Sequence, residues 1–425
     1  MANSPLKILL VHNSYQLPGG EDSVVENEMR ILRDAGCHVV TYFRSNTEIN
    51  SYSAFQKLVL PIRSVYSRKS YKELYKIIKE EQIDLVHVHN TLSVISPSVY
   101  YAALDCHVPV VQTIHNYRLV CPNAMLLRDG QVCMDCLSKG LSESLKHNCY
   151  RNSKLQTFVS TIILRYHRWR KIYRKVSYIC LTDFNKQILL RLNHSKKKDN
   201  SLELIHPDSV FVKPNFAADP GTIIPYDKRK NHFLYISRME SYKGIHVLLD
   251  AWQKYESSVS DNVACKELYL CGSGPEEDKV KEFISSHRLQ HIHFLGQLAH
   301  DKILDLIKDS LAVCIPSLCY EGFPVTIAES YAAGTPVIGS DLGNVGNLIS
   351  HNETGFKFPA GNADALADIF IHWNMNYAKS ANTISENVRT VYEQQYTEEI
   401  NQQQLLDIYE KVLNHENRNH CTQSK

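Results

Sequence analysis

The chain lacks the features that mark membrane-spanning, secreted or nucleic-acid-binding proteins. No apolar run in its 425 residues approaches the length that spans a bilayer. The N-terminus has no signal-peptide core with a cleavage site, because the apolar stretch from Leu6 to Val11 instead predicts a first buried strand. A net charge of +2 argues against a general affinity for nucleic acid. We therefore expect a cytoplasmic globular protein, whose twelve cysteines are mostly free thiols.

Strands and helices alternate along a chain that is too long for one hydrophobic core. The first set of predicted strands covers residues 6–12, 37–43, 83–88, 108–113, 177–182 and 210–213. The second set begins at Phe233 and continues at Leu268, His293, 311–315 and 335–339. This alternation predicts two doubly wound α/β domains. Pro220 and Pro225 place a hinge near residues 216–228.

Two glutamates frame a segment that predicts a helix start suited to an anion. Glu321 and Glu329 lie at the ends of the sequence EGFPVTIAE, in which Gly322 permits a sharp turn and Pro324 suits the first helical residue. The unpaired N–H groups and partial positive charge of a helix start favour a diphosphate. Taken alone, the two glutamates would be interpreted as solvated acids at helix ends.

Two cations and a glycine turn upstream of this segment change that interpretation. Arg238 follows the strand at Phe233 and Lys243 opens the next helix, so both side chains can reach one pair of phosphates. Gly272 begins a Gly-Ser-Gly-Pro turn after the following strand. Each signal is weak alone, because most Lys and Arg are ordinary surface cations. The series of strand-end loops is what indicates a phosphate site.

Together these segments resemble the family-4 glycosyltransferases, which have the GT-B fold and retain the anomeric configuration of the sugar that they transfer. The resemblance covers nearly the whole chain and rests on the order and spacing of short motifs. In chain order the motifs are Pro18-Gly19-Gly20-Glu21, Thr113-Ile114-His115, Val212-Lys213-Pro214-Asn215, Ser237-Arg238 with Lys243-Gly244, Gly272-Ser273-Gly274-Pro275, Phe294-Leu295-Gly296, the segment from Glu321 to Glu329, and Gly355-Phe356.

The resemblance implies two Rossmann-like domains that face each other across a cleft. Residues 1–215 are then the acceptor-binding domain, with a cysteine-containing insertion at 118–150. Residues 216–396 are the nucleotide-sugar-binding domain, and residues 397–413 form a terminal helix that returns to the first domain.

The resemblance also implies which residues contact the diphosphate of the donor. Arg238 and Lys243 are expected to bind it and to stabilise the charge that grows on it as it leaves. The helix start is expected to donate backbone N–H groups to the same phosphates, and Gly272 is expected to lie beside them. The residues of that helix start are Phe323, Pro324, Val325 and Thr326.

Other residues are expected to contact the sugars or to let the domains approach. Glu329 should accept hydrogen bonds from the ribose, and Glu321 should contact hydroxyls of the donor sugar. Gly19 and Gly20 should let the backbone of the first domain approach the diphosphate when the cleft closes. That last role is opposed by the acids at positions 21 and 22, directly beside the loop.

Histidines follow two strands of the first domain. His115 matches a family histidine beside the transferring sugar, and a hydrogen bond to a sugar hydroxyl is its implied role. The alternative is a structural histidine, which is how most of the 20 histidines should be interpreted. His87 and His89 alternate along a strand end and could be taken for metal ligands, but we interpret them as structural.

The implied reaction is front-face transfer without a protein nucleophile, in which the departing phosphate oxygen takes the proton of the acceptor. It needs no metal or other cofactor for catalysis. The implied donor is a UDP-sugar, with a GDP-sugar as the alternative, and the acceptor is a saccharide or a lipid-linked saccharide. Other classes stay open: a GT-B nucleotide-sugar epimerase, an inverting transferase, or a non-enzymatic two-lobed sugar-binding protein.

Four cysteines form a separate pattern. Cys133 and Cys136 make a C-x-x-C pair, and Cys121 and Cys149 lie a dozen or so residues to either side. Four thiolates at such spacing could hold one structural zinc ion. The alternative is unligated or redox-active thiols in a loop that shapes the acceptor side.

A basic segment follows the cysteines. Between Ser144 and Thr182 there are nine Lys or Arg and no Asp or Glu. Apolar residues are interleaved with them at helical spacing, namely Phe158, Ile162, Ile163, Tyr166, Trp169 and Tyr173. A helix that packs its apolar face on the sheet explains most of this pattern. Its outward cations also suggest contact with anionic lipid headgroups at the inner membrane face.

Overall fold

The computed structural model describes residues 5–16, 19–194, 203–259 and 265–423. For residues 194, 376–377 and 416–423 it describes the backbone only. Pro18, the first residue of the first motif, lies outside the described residues. The chain divides into two compact units. The first comprises residues up to Leu126, Cys133–Pro214 and the chain from Asn401 onward, and the second comprises Leu127–Val132 and Asn215–Ile400.

The first unit is built on a parallel sheet. Up to Pro214 the strands are β1 (Lys7–Ser14), β2 (His38–Ser45), β3 (Leu85–Val88), β4 (Val110–Ile114), β5 (Leu127–Arg128), β6 (Gln131–Val132), β7 (Ser177–Cys180) and β8 (Val210–Val212). Six of them form the sheet in the order β2-β1-β3-β4-β7-β8, with every pair parallel, whereas β5 and β6 form a separate antiparallel pair. Residues 8–11 of β1 are fully buried, because helices cover both faces of such a sheet.

Helices connect these strands. They are α1 (Gly20–Asp34), α2 (Ala54–Val65), α3 (Arg68–Glu80), α4 (Ser98–Asp105), α5 (Asp135–Ser138), α6 (Ser142–Lys146), α7 (Lys154–Trp169) and α8 (Asp183–Leu190). Within the described residues, no helix of the protein is both long enough and apolar enough to span a bilayer.

The second unit repeats this design. Its parallel strands are β9 (His232–Ile236), β10 (Glu267–Cys271), β11 (Ile292–Gly296), β12 (Ala312–Ile315), β13 (Val337–Ser340) and β14 (Gly355–Phe358), in the order β11-β10-β9-β12-β13-β14. Its helices are α9 (Ile245–Ser258), α10 (Glu277–Ser286), α11 (His300–Asp309), α12 (Val325–Ala332), α13 (Gly343–Leu348), α14 (Ala363–Ile371) and α15 (Ala381–Gln395).

The last helix, α16 (Glu398–Gln423), contributes to the core of the first unit. Leu405 and Tyr409 are fully buried and pack in one cluster with Ile8 of β1 and Leu85 of β3. The Asn401 amide donates to the carbonyl oxygen of Pro214 at 2.7 Å. The C-terminal residues therefore complete the sheet packing that the N-terminal residues begin.

Each sheet has a point where the chain switches from one side to the other. In the first sheet β1 is followed by β2 on one side, and the chain then continues with β3 on the other. In the second sheet β9, β10 and β11 run outward before β12 returns beside β9. Open α/β sheets bind ligands outside the carboxyl ends of the strands at such switch points.

The prediction of two doubly wound parallel sheets is confirmed, with small differences at the ends of elements. The predicted strand 177–182 ends at Cys180, because the Thr182 hydroxyl accepts the Asn185 N–H and caps α8. Helix α12 begins at Val325, one residue later than predicted, with Pro324 as its cap. Strand β14 was not predicted.

Candidate functional site

The loop after β9 carries Arg238 and Lys243 at the switch point of the second sheet. A single turn, Ser241–Lys243, ends at Gly244, whose φ of 75° is left-handed. A Cβ at Gly244 would lie 1.8 Å from the carbonyl oxygen of Pro316, directly after β12. Only glycine lets the β9 and β12 loops pack this closely.

This packing brings Lys243 to Glu321. Lys243 Nζ donates to both carboxylate oxygens of Glu321, at 2.7 and 2.8 Å, and the Ser317 hydroxyl donates to Oε1 at 2.6 Å. Burial acts to raise the pKa of Glu321, but Lys243, these hydrogen bonds and the charge of Arg238 hold it below its ordinary value. Burial acts to lower the pKa of Lys243, but Glu321 raises it. The pair is therefore ionised at neutral pH.

The sequence predicted that Lys243 and Glu321 contact different parts of the donor, whereas in the structure they contact each other. Lys243 was expected at the diphosphate and Glu321 at the donor sugar. Their side chains, 22% and 13% exposed, are instead bonded to each other. Arg238 is exposed and near enough for its charge to act on Glu321. An anion bound here would meet Arg238 and share Lys243 with Glu321.

The start of α12 lies directly after Glu321. Pro324 is its extended cap and has no N–H, so it shapes the turn but cannot donate to a phosphate. Of the predicted segment, Phe323, Val325 and Thr326 retain N–H groups that could do so. The ring of Phe323 is buried against Tyr396, with ring centres 5.6 Å apart, so only its backbone is available.

Asn344 of α13 holds the turn that precedes this helix. Its amide donates to the carbonyl oxygens of Glu321, at 2.7 Å, and of Gly322, at 2.5 Å. With both carbonyl groups occupied by the Asn344 amide, the backbone between β12 and α12 is fixed. The helix start is therefore preorganised rather than shaped by its ligand.

Glu329 lies on α12, on the turn after the helix start. Its Oε1 lies 3.6 Å from His300 Nε2 of α11, and 13% of its side chain is exposed. Burial raises the pKa of Glu329, and the charge of His300 opposes this only in part. Glu329 is thus a poorly solvated acid that would gain from hydroxyl donors.

Gly272 is required by the packing of two strand-end loops. Its φ is 132°, and a Cβ there would lie 1.9 Å from the carbonyl oxygen of Ser237. The next residue, Ser273, accepts the Met239 N–H at 2.9 Å, and Met239 accepts the Glu276 N–H at 3.0 Å. These bonds join the β9 and β10 loops without a ligand, so contact of Gly272 with a phosphate stays a prediction.

Gly19 and Gly20 lie after β1, at the switch point of the first sheet. Gly19 caps α1, and its N–H donates to the Asp22 carboxylate at 2.8 Å, so that N–H is already used. A Cβ at Gly20 would have nothing within 4 Å, so packing does not require glycine there. Burial raises the pKa of Glu21 to about 8, which keeps it largely uncharged near neutral pH. Glu21 therefore opposes an anion less than the sequence suggested, whereas Asp22 stays charged, because burial acts to raise its pKa but its hydrogen bonds with His12 and the Gly19 N–H hold it below its ordinary value.

His115, after β4, is half-buried and is bonded to a chain of buried side chains. Its Nε2 lies 2.8 Å from His89 Nδ1, and His89 Nε2 lies 3.4 Å from Glu28 Oε2. Lys213 Nζ donates to Glu28 Oε1 at 2.8 Å and to the Asn401 amide oxygen at 2.9 Å. Burial lowers the pKa of His115 to about 3, so the ring is neutral and suited to a sugar hydroxyl.

Glu28, His87 and His89 place one donor atom each within 4.8 Å of one another, a spacing that metal ligands share. The nitrogens of His87 are already engaged, however. Nδ1 lies 2.7 Å from the Tyr409 hydroxyl and Nε2 lies 2.8 Å from the Thr113 hydroxyl. These contacts favour the structural interpretation of both histidines.

Several residues that hold the site were missed from the sequence. Ser317 and Asn344 fix Glu321, and no motif marks them. Glu28 and Lys213 form a fully buried ion pair, although they are 185 positions apart in the sequence. The available signal was Lys213 itself, a cation in an otherwise apolar strand end, because a buried cation requires a partner.

Two family models match the chain. The model described as Glycosyltransferase Family 4 matches residues 18–199. The model described as Glycosyl transferases group 1 matches residues 223–391. The two matches do not overlap, and together they cover most of the chain.

Curated glycosyltransferases match over different shares of the chain. The phosphatidyl-myo-inositol mannosyltransferase of Mycolicibacterium smegmatis is 24% identical over 84% of this chain and 82% of its own length. That of Mycobacterium leprae is 27% identical over 50% of this chain and 56% of its own length. The D-rhamnosyltransferase WbpZ of Pseudomonas aeruginosa is 29% identical over 39% of this chain and 41% of its own length. The chain therefore spans less than two thirds of the last two proteins.

Solved structures match over almost the whole chain. A glycosyltransferase from Rickettsia africae has a TM-score of 0.67 at 20% identity, over 96% of this chain and 99% of that one. Anabaena Alr3699/HepE in complex with UDP-glucose has a TM-score of 0.64 at 18% identity, over 95% of this chain and 99% of that one. At these identities the likeness shows a shared fold.

Proposed function

Since the chain belongs to the family-4 glycosyltransferases and has their GT-B fold, we propose that it transfers a sugar from a nucleoside diphosphate sugar to a saccharide or lipid-linked saccharide, with retention of configuration. One observation carries this proposal. At the switch point of the second sheet, the cation Lys243 and the carboxylate Glu321 meet directly before the start of α12. A diphosphate and a sugar hydroxyl could each find a complementary group there.

The diphosphate is bound by positive charge from side chains and backbone. Arg238 supplies an exposed guanidinium, and Lys243 supplies an ammonium whose charge Glu321 preserves. The N–H groups of Val325 and Thr326 add the partial charge of the helix start. These groups stabilise the negative charge that develops on the departing phosphate.

The sugar is transferred on the face from which the diphosphate departs. The departing phosphate oxygen takes the proton of the acceptor hydroxyl as the new glycosidic bond forms, so no protein nucleophile takes part. Glu321 holds hydroxyls of the donor sugar, and in the first unit the neutral ring of His115 offers one hydrogen bond to a sugar hydroxyl. Glu329 holds the ribose.

The uridine nucleotide is the favoured donor, with a guanosine nucleotide as the alternative. The solved structure of Anabaena Alr3699/HepE is a complex with UDP-glucose, which supports a uridine nucleotide as the donor. The name of one curated relative, a phosphatidyl-myo-inositol mannosyltransferase, supports a glycolipid as the product.

The proposal predicts which nucleoside diphosphate is released and which residue binds the donor. With a panel of nucleotide sugars and a mixed saccharide acceptor, we expect release of UDP above that of other nucleotides. Glu329→Ala is expected to raise the KM for the donor about 10- to 100-fold, because hydrogen bonds to a charged group contribute about 1.5–3 kcal/mol. The product should keep the anomeric configuration of the donor, as measured by NMR.

Glu282→Ala, on the exposed face of α10, is the matched control and should leave the KM unchanged. An unchanged KM in the Glu329 variant would contradict its role. Interconversion of nucleotide sugars without transfer would identify an epimerase, and an inverted product would identify an inverting transferase.

An apolar surface on the first unit supports a membrane-bound acceptor. In α2, Phe55, Leu58 and Ile62 are 69%, 75% and 72% exposed, and Ser64 is its one buried residue. They recur at intervals of three and four residues, so they form one stripe. Isolated exposed apolar residues are common, but a stripe of three on one helix marks a contact surface.

Helix α7 extends this surface and adds charge. The end of α2 contacts α7 through His167, whose Nε2 donates to the Val65 carbonyl oxygen at 2.9 Å. Of the apolar residues that α7 was expected to pack inward, Ile163 is buried, but the expectation is wrong for Phe158 and Trp169, which are 53% and 72% exposed. Neither helix contains an acidic residue. This surface therefore suits the headgroups of anionic lipid.

The α2–α7 surface predicts binding to anionic vesicles. We expect the protein to sediment with vesicles that contain phosphatidylglycerol and to stay in solution with phosphatidylcholine alone. Replacing Phe55, Leu58 and Ile62 together by serine should weaken binding about tenfold or more, because each side chain contributes about 1.5–3 kcal/mol when buried. The control is Met375→Ser, at an exposed apolar residue of the second unit. Equal binding to both kinds of vesicle would contradict the role of charge.

A further inference from the structure

One group of metal-ligating side chains lies close together in the part of the chain that the structure describes. It consists of Glu28, His87 and His89, all buried in the first unit. The four cysteines of the predicted zinc site are free and do not form such a group, so that site stays a prediction. Both nitrogens of His87 are bonded to hydroxyl groups, whereas the contacts of His89 continue to His115.

Three side chains form a row that leads from the core of the first unit to His115. His115 Nε2 lies 2.8 Å from His89 Nδ1, and the two rings are stacked with their centres 5.1 Å apart. On the other side of the same ring, His89 Nε2 lies 3.4 Å from Glu28 Oε2. The positions of the protons along this row therefore decide what His115 offers to a ligand.

The row begins at a carboxylate that is held ionised. Lys213 Nζ donates to Glu28 Oε1 at 2.8 Å, and both side chains are fully buried. Burial acts to raise the pKa of Glu28, but the charge and the hydrogen bond of Lys213 help to hold it below its ordinary value. An ionised carboxylate has no proton to donate, so Glu28 Oε2 can only accept.

This carboxylate decides which nitrogen of His89 carries the proton. Among the described residues, Glu28 Oε2 and His89 Nε2 are both buried and neither has another hydrogen-bond partner. At 3.4 Å their contact is long, but it leaves no room for a water molecule between them. Burial lowers the pKa of His89 well below its ordinary value, so the ring carries one proton only. Two buried acceptors that face each other would cost free energy, so that proton lies on Nε2 and points to Glu28.

The proton of His89 in turn fixes the proton of His115. With its proton on Nε2, His89 has only an electron pair on Nδ1 and can only accept there. His115 Nε2 is therefore the donor of the 2.8 Å contact, which leaves Nδ1 of the neutral ring without a proton. Among the described residues, His115 Nδ1 is neither bonded nor buried. It is the nitrogen that remains for a ligand.

The surroundings of His115 make this electron pair selective. His115 lines a recess of the first unit together with Asn90, Asn116 and Arg118. A guanidinium supplies donors only, and such donors suit a hydroxyl, a carbonyl and a phosphate oxygen alike. An acceptor nitrogen suits only a ligand group that has a proton to donate.

We propose that Glu28 and His89 are positioning residues that hold His115 with its proton on Nε2, so that Nδ1 accepts a hydrogen bond from a hydroxyl of the ligand. A phosphate, a carboxylate or a carbonyl oxygen does not fit this nitrogen. That the hydroxyl belongs to a sugar rests on the proposed function, whereas the position of the proton does not. The buried pair of Lys213 and Glu28, which is costly to desolvate, then supplies the fixed acceptor at the start of the row.

The test is the position of the ring protons in the unaltered full chain. With isotope-labelled histidine, NMR correlations between ring protons and ring nitrogens distinguish a protonated from an unprotonated nitrogen, and the spectrum of His115→Gln identifies the signals of His115. At neutral pH we expect a slowly exchanging proton on His115 Nε2 and none on Nδ1. His38, an exposed histidine of β2, is the reference for fast exchange. A proton on His115 Nδ1, or an Nε2 proton that exchanges as fast as that of His38, would overturn the proposal.

This measurement needs neither a donor nor an acceptor substrate. It can therefore fail while the chain is shown to be a glycosyltransferase, and it can succeed where transfer is not found.

Two variants of His89 separate positioning from packing. His89→Asn keeps an oxygen that can accept from His115 Nε2, whereas His89→Leu has no polar atom to do so. We expect the slowly exchanging proton of His115 to persist in His89→Asn and to be lost in His89→Leu. Release of nucleoside diphosphate, measured with the nucleotide sugar that the panel identifies, should fall about tenfold in His89→Leu and clearly less in His89→Asn, because one hydrogen bond is no longer directed.

His38→Leu is the matched control, since it makes the same change at an exposed histidine of the same unit and should alter neither measurement. An equal loss of turnover in both His89 variants would show that His89 acts by packing alone and would overturn its positioning role.

Discussion

Replacing Lys243 by alanine is expected to lower kcat by about 10²- to 10³-fold, the loss typical when one stabiliser of transition-state charge is removed. Two effects combine. The departing diphosphate loses a cation, and the buried carboxylate of Glu321 loses the partner that keeps its pKa low. Glu321 would then take up a proton more readily and hold the donor sugar less well. Initial rates of nucleoside diphosphate release measure the loss.

A loss of folding must be separated from this loss of charge. The double variant Lys243→Met with Glu321→Gln removes both charges and leaves no unpaired buried ion, so it should recover stability without recovering activity. Lys281→Ala is the control, because Lys281 also contacts a glutamate, Glu277 at 2.7 Å, but on the exposed face of α10. Activity of Lys243→Ala within about twofold of the unaltered protein would contradict the assignment of this cation.

Replacing Lys213 by methionine is expected to destabilise the first unit by about 3–5 kcal/mol, the cost of leaving one buried charge without its partner. The Lys213 and Glu28 side chains are fully buried. Lys213 also donates to Asn401, so the same change removes a contact that fixes the start of α16 in this unit. Hydrogen exchange of the amides in β1 reports the loss within this unit alone.

A double variant shows whether the cost comes from the unpaired charge. Lys213→Met combined with Glu28→Gln should be less destabilised than Lys213→Met alone, since no charge is then left buried. Lys76→Met is the control, because Lys76 and Glu80 of α3 form an exposed pair at 3.7 Å that should contribute at most about 1 kcal/mol. A loss in Lys213→Met no larger than in this control would show that the buried pair contributes little.

The sheets could be predicted because their signals are local. Apolar runs such as residues 8–11 and 233–235 are long enough to specify buried strands, and the glycines and prolines between them mark turns. Strand β14 was missed because its sequence, Gly355-Phe-Lys-Phe358, is too short and mixed to stand out. Its position is set by pairing with β13.

The members of the site could be predicted better than their contacts. Arg238, Lys243 and Glu321 follow strands whose order puts them at one edge, and a resemblance of motifs found them. That Lys243 would bond to Glu321 depends on the approach of Gly244 to Pro316. The pairing of Glu28 with Lys213 depends on how α1 packs against the end of β8. Contacts between residues that are far apart in the sequence leave no periodic pattern from which they could be predicted.

The position of α16 limits the order in which the protein can fold as it is made. The core around Ile8 and Leu85 needs Leu405 and Tyr409, which are synthesised hundreds of residues later. The second unit is complete in sequence by Ile400, before most of that helix exists. At about 5–20 residues per second, the part of the protein that leaves the ribosome first therefore waits tens of seconds for its last contacts.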